Sequence, residues 1–560
     1  MYPSRLPLAE RLFWCAILIC IVALKIQPSW QPFRSNDSFQ YLSVADNLQR
    51  DVIGSTSLLH FDVERSHGKV PAPLTTFPIG YPVLVGVFEA SGFSGETAGL
   101  LVSLLATLGS IFVLDILGRR VGLSTTARRW VLAVFVVTSR TTRFAAAVMS
   151  ESAFTLVSLG ALVLLISALQ STANGRPRAR LAIAAGLAFG LSYWLRYAGL
   201  FVLLGLLPVV ALFFAARRRD FVRQVLIAIC AGGLIVILGM IRNIILVATW
   251  RGGNTKEVHH PALEIVRGFV IAIKNLMFGS SAMSDSIALK VTLVLLLVVG
   301  CAAGVAVILK STRGADRASV QKDFAAAILA IVAATYVACL TYVARHTTIS
   351  FGARYLYPML PVVLVLTGVA ITGVERRIAG TSARWGWRGL WSGVAVLYAL
   401  LHVSQFFREP SPSTYDVVAN RLDQPFTAEA TARRVILSLA GPDGVVMSNF
   451  GQATGYVLRR PVLSLVEPEL SSVTWDESNV RAAMSASPSR SLWSIELHRT
   501  PGSMLTHRRS SNGWRRARCQ AGCTRSGNRR PSSFTVRVRR CSCNMQLYNY
   551  ERLADSDRAD

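Results

Sequence analysis

Apolar runs of about 15–25 residues recur along the first 400 positions of this 560-residue chain, and runs of that length match a hydrocarbon core of about 30 Å. Nothing else in the sequence constrains the fold as much. Lipid offers no hydrogen bonds, so each run must close its backbone bonds internally, as a helix. With 52% of residues hydrophobic and only 16% charged, the membrane is the chain's main solvent. The spacing predicts about eleven spans, near 12–27, 97–117, 130–148, 152–170, 181–195, 198–216, 225–247, 286–309, 324–343, 356–374 and 389–403. The first, "RLFWCAILICIVALKI", has basic flanks and no small-residue cleavage site after it, and reads as an uncleaved anchor.

Lys and Arg set the orientation. With the N-terminus in the cytoplasm, the inside loops are "GRRVGLSTTARR", "STANGRPRAR", "AARRRDFVRQ", "KSTRGADRASVQK" and "ERRIAGTSARWGWR", each with several basic residues. The connections on the other side after the third, fifth and ninth spans are short and nearly free of Lys. The net charge of +28 is thus dispersed among loops rather than gathered on one face, which argues against a nucleic-acid partner. The reading is a multi-pass protein of the bacterial inner membrane, N-terminus cytoplasmic and C-terminus periplasmic, with the lipid bilayer as its surroundings.

This orientation leaves three longer segments outside: 28–96, 248–285 and everything after 404. In the first, Tyr41, Val44, Ala45 and Leu48 share one helical face, and "FPIGYPVLVGVFEASGF" opens on turn residues and continues amphipathically. Both predict helices along the outer interface. The last segment runs helix, Gly-Pro turn, strand "GVVMS", helix, strand "PVLSLV". The fold class is therefore an all-α polytopic membrane protein with interfacial helices in its first outer loop and a small C-terminal α/β domain. The domains expected are 1–403, the transmembrane module; 404–486, the small periplasmic domain; and 487–560, a tail.

That tail is of another character. It holds fifteen Arg, no Lys and four Cys, in "CQAGC" and "CSC", and has no apolar period. No CxxC pair or His arrangement suggests zinc. A basic disordered tail fits; the composition fits better a frameshifted translation of a GC-rich gene. Without the tail's fifteen Arg and five acids the net charge falls from +28 to +18 (28 − 15 + 5), which the inside loops account for. The other five cysteines lie in apolar runs, where Cys behaves as a small hydrophobe.

Charged side chains at the ends of spans need a reason, since a charge at a helix centre costs roughly 2.5–3.5 kcal/mol on insertion scales. Five cluster on the outer side: Asp37 in "SNDSFQY", Glu151 in "AVMSESAF", Arg196 in "YWLRYAGL", Arg242 in "GMIRNIIL" and Arg354 in "FGARYLYP". Plain structural roles exist for each. "DSFQ" fits a capping box with Asp37 as N-cap and Gln40 reaching back, Glu151 fits a plain loop charge, against which stand Arg143 nearby and its apolar surroundings, and the arginines can snorkel. Three arginines outside, against the positive-inside trend, also suit an anion such as a phosphate. Arginines that hold a lipid-phosphate leaving group, beside a carboxylate that deprotonates an incoming hydroxyl, make a coherent chemistry. A helix N-terminus favours a carboxylate's ionised form, which casts Asp37 as an orienting group for that hydroxyl rather than a strong base.

The motifs "NDSFQYLSVADNL", "TTFPIGYPVLVG", "MSESAF", "LSYWLRYAGL", "IRNIIL", "RYLYPMLPVVLVL" and "GVVMSNFGQATGYVLRRPVLSL" occur in an order and placement that resembles the GT-C membrane glycosyltransferases over residues 8–480. In particular it resembles the bacterial relatives of dolichyl-phosphate-mannose–protein mannosyltransferases and the lipid A aminoarabinose transferase. The resemblance implies inverting transfer of a sugar from a polyprenyl-phosphate donor to a glycan, lipid or protein acceptor on the periplasmic side. It implies Asp37 as general base or acceptor-orienting carboxylate and Glu151 as the second acid. Arg354, with Tyr355 and Pro358 of an "RYxxP"-like motif, would lie near the lipid phosphate, with Arg196 and Arg242 as further phosphate ligands. Some relatives carry adjacent acids in the first loop; here Asp37 stands between Asn36 and Ser38, and no metal ligand set is assigned, though a divalent cation is a possible cofactor. Ser152 stands where a Pro usually follows the second acid. The alternatives from other classes are a transporter of an anionic or lipid-linked substrate and a non-catalytic scaffold. A transporter calls for internal repeats and midplane charges, and the sequence displays neither.

Overall fold

The computed structural model describes residues 32–50, 53–57, 71–252, 258–278, 317–347, 352–378 and 380–406, together with short stretches between 434 and 540. The predicted spans at 12–27 and 286–309 lie outside the described residues. The chain is a multi-pass membrane protein: among the described residues, five helices are long and apolar enough to cross a bilayer.

The first described helix, α1 (Asn36–Leu48), begins where a capping box forms, but not the one the sequence suggested. Ser35 is the N-cap, and its backbone N–H donates to Ser38 Oγ (2.9 Å) in return. Asp37 is therefore inside the first turn, free of capping duty, and Gln40 does not reach back. The helix is enclosed rather than lying open. Phe39, Tyr41, Leu42, Val44 and Ala45 are all buried, packed by α2 (Gly80–Ala90), the start of α3 (Gly95–Val121) and a helix from the C-terminal segment. A two-residue ladder, β1 (Ser55–Thr56) with β2 (Ala72–Pro73), closes the loop between α1 and α2.

Ser94 and Ser124 cap α3 and α4 (Thr125–Val137) by accepting from the backbone N–H of Thr97 and Ala127, as expected where Ser precedes an apolar run. The third predicted span is not one rod. Thr138 takes an extended conformation (φ −60°, ψ 127°) and separates α4 from α5 (Ser139–Ala145). The polar stretch "TSRTTR" at 138–143 falls at this break and interrupts the apolar run. Then follow α6 (Glu151–Ala173), α7 (Ala179–Leu195), α8 (Gly199–Leu204), α9 (Leu206–Ala215) and α10 (Arg219–Val247). α7 and α10 run very close: a Cβ on Gly186 would sit 2.3 Å from the carbonyl oxygen of Ala228, so the approach exists only because the residue is glycine. Small residues at such seams are how membrane helices pack without a hydrophobic drive between them.

The remainder of the bundle is α11 (Ala262–Phe278), α12 (Arg317–His346), the short α13 (Ala353–Leu356), a 3₁₀ turn (Tyr357–Met359), α14 (Leu360–Arg377) and α15 (Thr381–Phe406). In the C-terminal segment, β3 (Val445–Ser448), α16 (Gly451–Leu458) and β4 (Val462–Ser464) form a parallel βαβ unit. The sheet continues into β5 (Leu492–Arg499) and β6 (Phe534–Arg540), in the order β4-β3-β5-β6, and so draws backbone from beyond residue 486.

The contact between α16 and the first loop carries a titratable group. Glu89, at the end of α2, faces Asp46 of α1 and Arg459 just past α16. Burial and the Asp46 charge push its carboxyl up from 4.5 to about 7, against the pull of Arg459. Arg459 itself pairs with Asp46 at 3.1 Å. A carboxyl whose folded-state pKa is raised binds more protons folded than unfolded, so stability falls as pH rises from about 4.5 through 7 and then levels off. Glu89→Gln is expected to flatten that slope, read as thermal unfolding of the detergent-solubilised protein at pH 5 and pH 8. Equal pH sensitivity in both proteins would rule the assignment out.

Candidate active site

An isolated parallel bridge assembles the site. Phe33 N–H donates to Ala146 O, and Val148 N–H donates to Phe33 O, both at 3.1 Å. The bridge sets Phe33 beside Ala147. Four residues on from each partner stand the two acids, Asp37 in the first turn of α1 and Glu151 at the first position of α6. Hydroxyls fix the turn before Glu151. Ser103 of α3 donates to Met149 O (3.2 Å), Thr107 donates to Ser152 Oγ (3.0 Å), and Tyr81 of α2 reaches Ser103 (3.1 Å). Ser152 is thus engaged as a hydrogen-bond acceptor where a Pro would make no such bond.

The bases come from the other side of the bundle. Arg354 opens the α13 turn, which is pinned from beneath: Tyr357 packs its ring 4.8 Å from that of Phe144, and the 3₁₀ turn lies against α6. Arg354 Nη1 donates to Asp37 Oδ2 at 2.8 Å, across 317 residues of sequence. Arg196 follows directly on α7, where the chain leaves the helix in an extended conformation. Its Nη1 lies 2.7 Å from Glu151 Oε1 and donates to Ser150 Oγ at 3.1 Å. Tyr355 joins the two pairs: the guanidinium carbons of Arg354 and Arg196 stand 4.9 and 5.7 Å from its ring centroid, within cation–π range. Arg354 Nη2 donates to the Tyr355 hydroxyl (3.2 Å), and Tyr336 of α12 donates to the Tyr355 carbonyl (2.8 Å). Tyr41, one turn after Asp37, meets Ser150 Oγ at 3.4 Å. Its burial, then the Asp37 charge, push its hydroxyl up, so it stays protonated.

Burial grades across the cluster. Glu151 is fully buried, and the side chains of Asp37 and Arg196 are about nine-tenths buried, whereas Arg354 is 31% exposed. The site opens at Arg354. The approach of Arg196 to Glu151 is an ion pair whose angle does not make a hydrogen bond, and neither Glu151 oxygen accepts one. Two acids and two arginines leave the cluster formally neutral, and each carboxylate already faces a guanidinium. That is a poor donor set for Ca²⁺ or Mg²⁺, which take six or more oxygen ligands. Among the described residues no group of three or more His, Cys, Asp or Glu is placed to hold a metal.

Of the residues picked out in the sequence, Asp37, Glu151, Arg196, Arg354 and Tyr355 come together. Arg242 does not join them. Its Nη2 donates to the carbonyls of Leu74 (3.0 Å) and Gly54 (3.3 Å), clamping the residues that flank the β1–β2 ladder to the end of α10. Gly54 sits at φ +69°, and a Cβ there would lie 3.0 Å from that nitrogen, so the clamp requires glycine. Ser150, Tyr41 and Tyr336 complete the cluster. Each is an ordinary residue in an apolar context, and only the fold singles it out.

No family model and no curated protein sequence matches the chain. Solved structures do. The oligosaccharyltransferase of Archaeoglobus fulgidus in its apo form matches 88% of this chain and 70% of its own, at a TM-score of 0.55 and 14% identity. ArnT from Cupriavidus metallidurans bound to undecaprenyl phosphate matches 87% of this chain and 93% of its own, at 0.50 and 11%. The chain has the GT-C glycosyltransferase fold. The long helices, the first loop with α1 and the carboxylate–arginine cluster at one end of the bundle are thus set on a GT-C frame, as the resemblance implied. At such identities the likeness establishes fold, and the reactive groups rest on the geometry above.

Proposed function

We propose that this protein is an inverting glycosyltransferase, moving a sugar from a polyprenyl-phosphate donor to a hydroxyl of a glycan, lipid or protein acceptor at the periplasmic face of a bacterial inner membrane. The observation that carries this is the paired cluster Asp37–Arg354 and Glu151–Arg196 about Tyr355. Two arginines and a tyrosine hydroxyl suit a phosphate leaving group, and the most exposed of them, Arg354, is where a headgroup enters. Two structures of the same fold support the donor class, since they hold a dolichol-phosphate and undecaprenyl phosphate respectively.

In this reading the donor phosphate takes Arg354 from Asp37 on binding. Asp37, released and ionised, accepts the hydrogen bond of the acceptor hydroxyl and aims its oxygen at the anomeric carbon. The new carbon–oxygen bond forms on the face opposite the phosphate, the bond to the phosphate oxygen breaks with its electron pair, and the hydroxyl proton passes to Asp37. Charge gathering on the leaving phosphate is met by Arg354 and Arg196, preorganised groups of the kind that dominate transition-state stabilisation. Glu151 holds Arg196 in place without being consumed.

Arg354→Ala tests the reading. Loss of one such group costs on the order of 10²–10³ in turnover, and here binding of bare polyprenyl phosphate should weaken with it. Arg354→Lys should recover only part, since a point charge does not reproduce the planar fork. The measurement is transfer from labelled polyprenyl-phosphate sugars in membranes, with lipid binding followed on the purified protein. Transfer and binding both indifferent to Arg354 would sink the proposal.

A further inference from the structure

The face of α1 beside Asp37 is polar where a membrane-embedded bundle has little use for polarity. Asn36, Gln40, Ser43 and Asn47 recur at i, i+4, i+7 and i+11, which aligns them in one stripe. The far half of the stripe is satisfied. Asn47 donates to Ser55 O (2.9 Å) and accepts from Ser57 Oγ (3.0 Å), while Ser43 Oγ accepts from Ser57 N–H (2.9 Å) and Thr56 Oγ1 (3.2 Å). The near half is not. Gln40 is 2% exposed, yet its Oε1 has no donor, and Asn36 Oδ1 one turn earlier is likewise buried without one. Across the cluster Glu151 Oε2 is in the same condition, while its Oε1 faces Arg196 at 2.7 Å.

The unmet groups are all acceptors. A buried acceptor left without a donor is costly, and native structures keep few of them, so a set of three beside one site needs an occupant rich in O–H or N–H donors. A phosphate has none to offer at neutral pH, and an acyl or isoprenyl chain has none at all. A sugar ring offers several hydroxyls.

We propose that Asn36 Oδ1 and Gln40 Oε1 form a subsite that accepts hydrogen bonds from the hydroxyls of the donor's sugar ring. This rests on the assignment of Arg354 to the lipid phosphate. Asp37 pairs with Arg354 and lies one residue from Asn36 and one turn from Gln40, so a ring attached to a phosphate at Arg354 meets this stretch of α1. The amide oxygens are binding groups, and the chemistry stays with the carboxylate–arginine cluster.

Gln40→Met keeps length and removes the acceptor. On the full-length protein in lipid nanodiscs, affinity is measured for bare polyprenyl phosphate and for the same lipid carrying mannose, glucose or arabinose. The wild type should prefer one of the sugar-bearing lipids, and Gln40→Met should cut that affinity about tenfold, the scale of one hydrogen bond to a buried site, while bare-lipid affinity holds. Asn36→Leu should behave alike and stands in if the first variant does not fold. The ligand-free melting temperature of Gln40→Met should equal or exceed that of the wild type, because an unmet acceptor has gone. A lowered melting temperature would make Gln40 structural and overturn the subsite. Equal loss of bare and sugar-bearing lipid, or no sugar preference in the wild type, would do the same. Arg354→Ala separates the two readings: it should weaken both lipids alike, and indifference of the bare lipid to it would fault the phosphate assignment instead.

Discussion

Asp37→Asn is expected to lower sugar transfer by about 10²–10⁴-fold, the range for removing a positioned proton acceptor, with little change in folding. The substitution is informative because the fold separates what the two atoms of the carboxylate do. Helix α1 is capped by Ser35 and Ser38, so losing the Asp37 charge leaves the helix start intact. An asparagine oxygen still accepts from Arg354, which keeps the 2.8 Å contact as a hydrogen bond from a charged guanidinium to a neutral amide. What is lost is the charge that turns an acceptor hydroxyl toward the anomeric carbon and receives its proton. Transfer from a labelled polyprenyl-phosphate sugar in membranes reads the effect, with the melting temperature as control. Transfer at the wild-type rate would return Asp37 to an ion-pairing role and leave the scaffold reading standing.

The sequence carried the membrane helices because a run of about twenty apolar residues has one stable answer in lipid, and the basic loops followed from the same solvent. Five of the six side chains it singled out lie together in the fold. Their pairing was not legible. Asp37 and Arg354 are 317 residues apart, and nothing local says which guanidinium meets which carboxylate. The backbone bridge between Phe33 and Ala147, which sets both acids at one place, leaves no mark in a hydropathy pattern. Local rules misled at α1. "DSFQ" fits a capping box, but "SNDS" offers a competing one two residues earlier, and Ser35 with Ser38 takes it. That frees Asp37 for Arg354. Arg242 was misread for a related reason. A lone arginine near the end of a span signals an anion only if no carbonyls claim it, and the tight turn at Gly54 presents its carbonyl, with that of Leu74, directly to this one.

Glu151 and Arg196 should govern stability as strongly as Asp37 governs turnover. Glu151 is fully buried and the Arg196 side chain is 11% exposed, so neither charge has water to fall back on. Removing one member of such a pair leaves the other desolvated and uncompensated, at a cost of roughly 3–5 kcal/mol. That is a large share of the roughly 5–15 kcal/mol by which proteins are stable. Glu151→Leu and Arg196→Leu are each expected to lower the melting temperature sharply and to reduce the amount of protein recovered from membranes. The double variant, Glu151→Leu with Arg196→Leu, separates stability from function. Replacing a buried ion pair by apolar residues of similar volume is often neutral or stabilising, so the double variant should regain most of what either single loses. Transfer should stay abolished, because the second phosphate-facing guanidinium has gone with its carboxylate. A thermodynamic cycle over the four proteins measures the coupling directly. Additive losses in melting temperature would mean that the 2.7 Å contact holds nothing together. A double variant that folds and still transfers sugar would remove Arg196 from the leaving-group site.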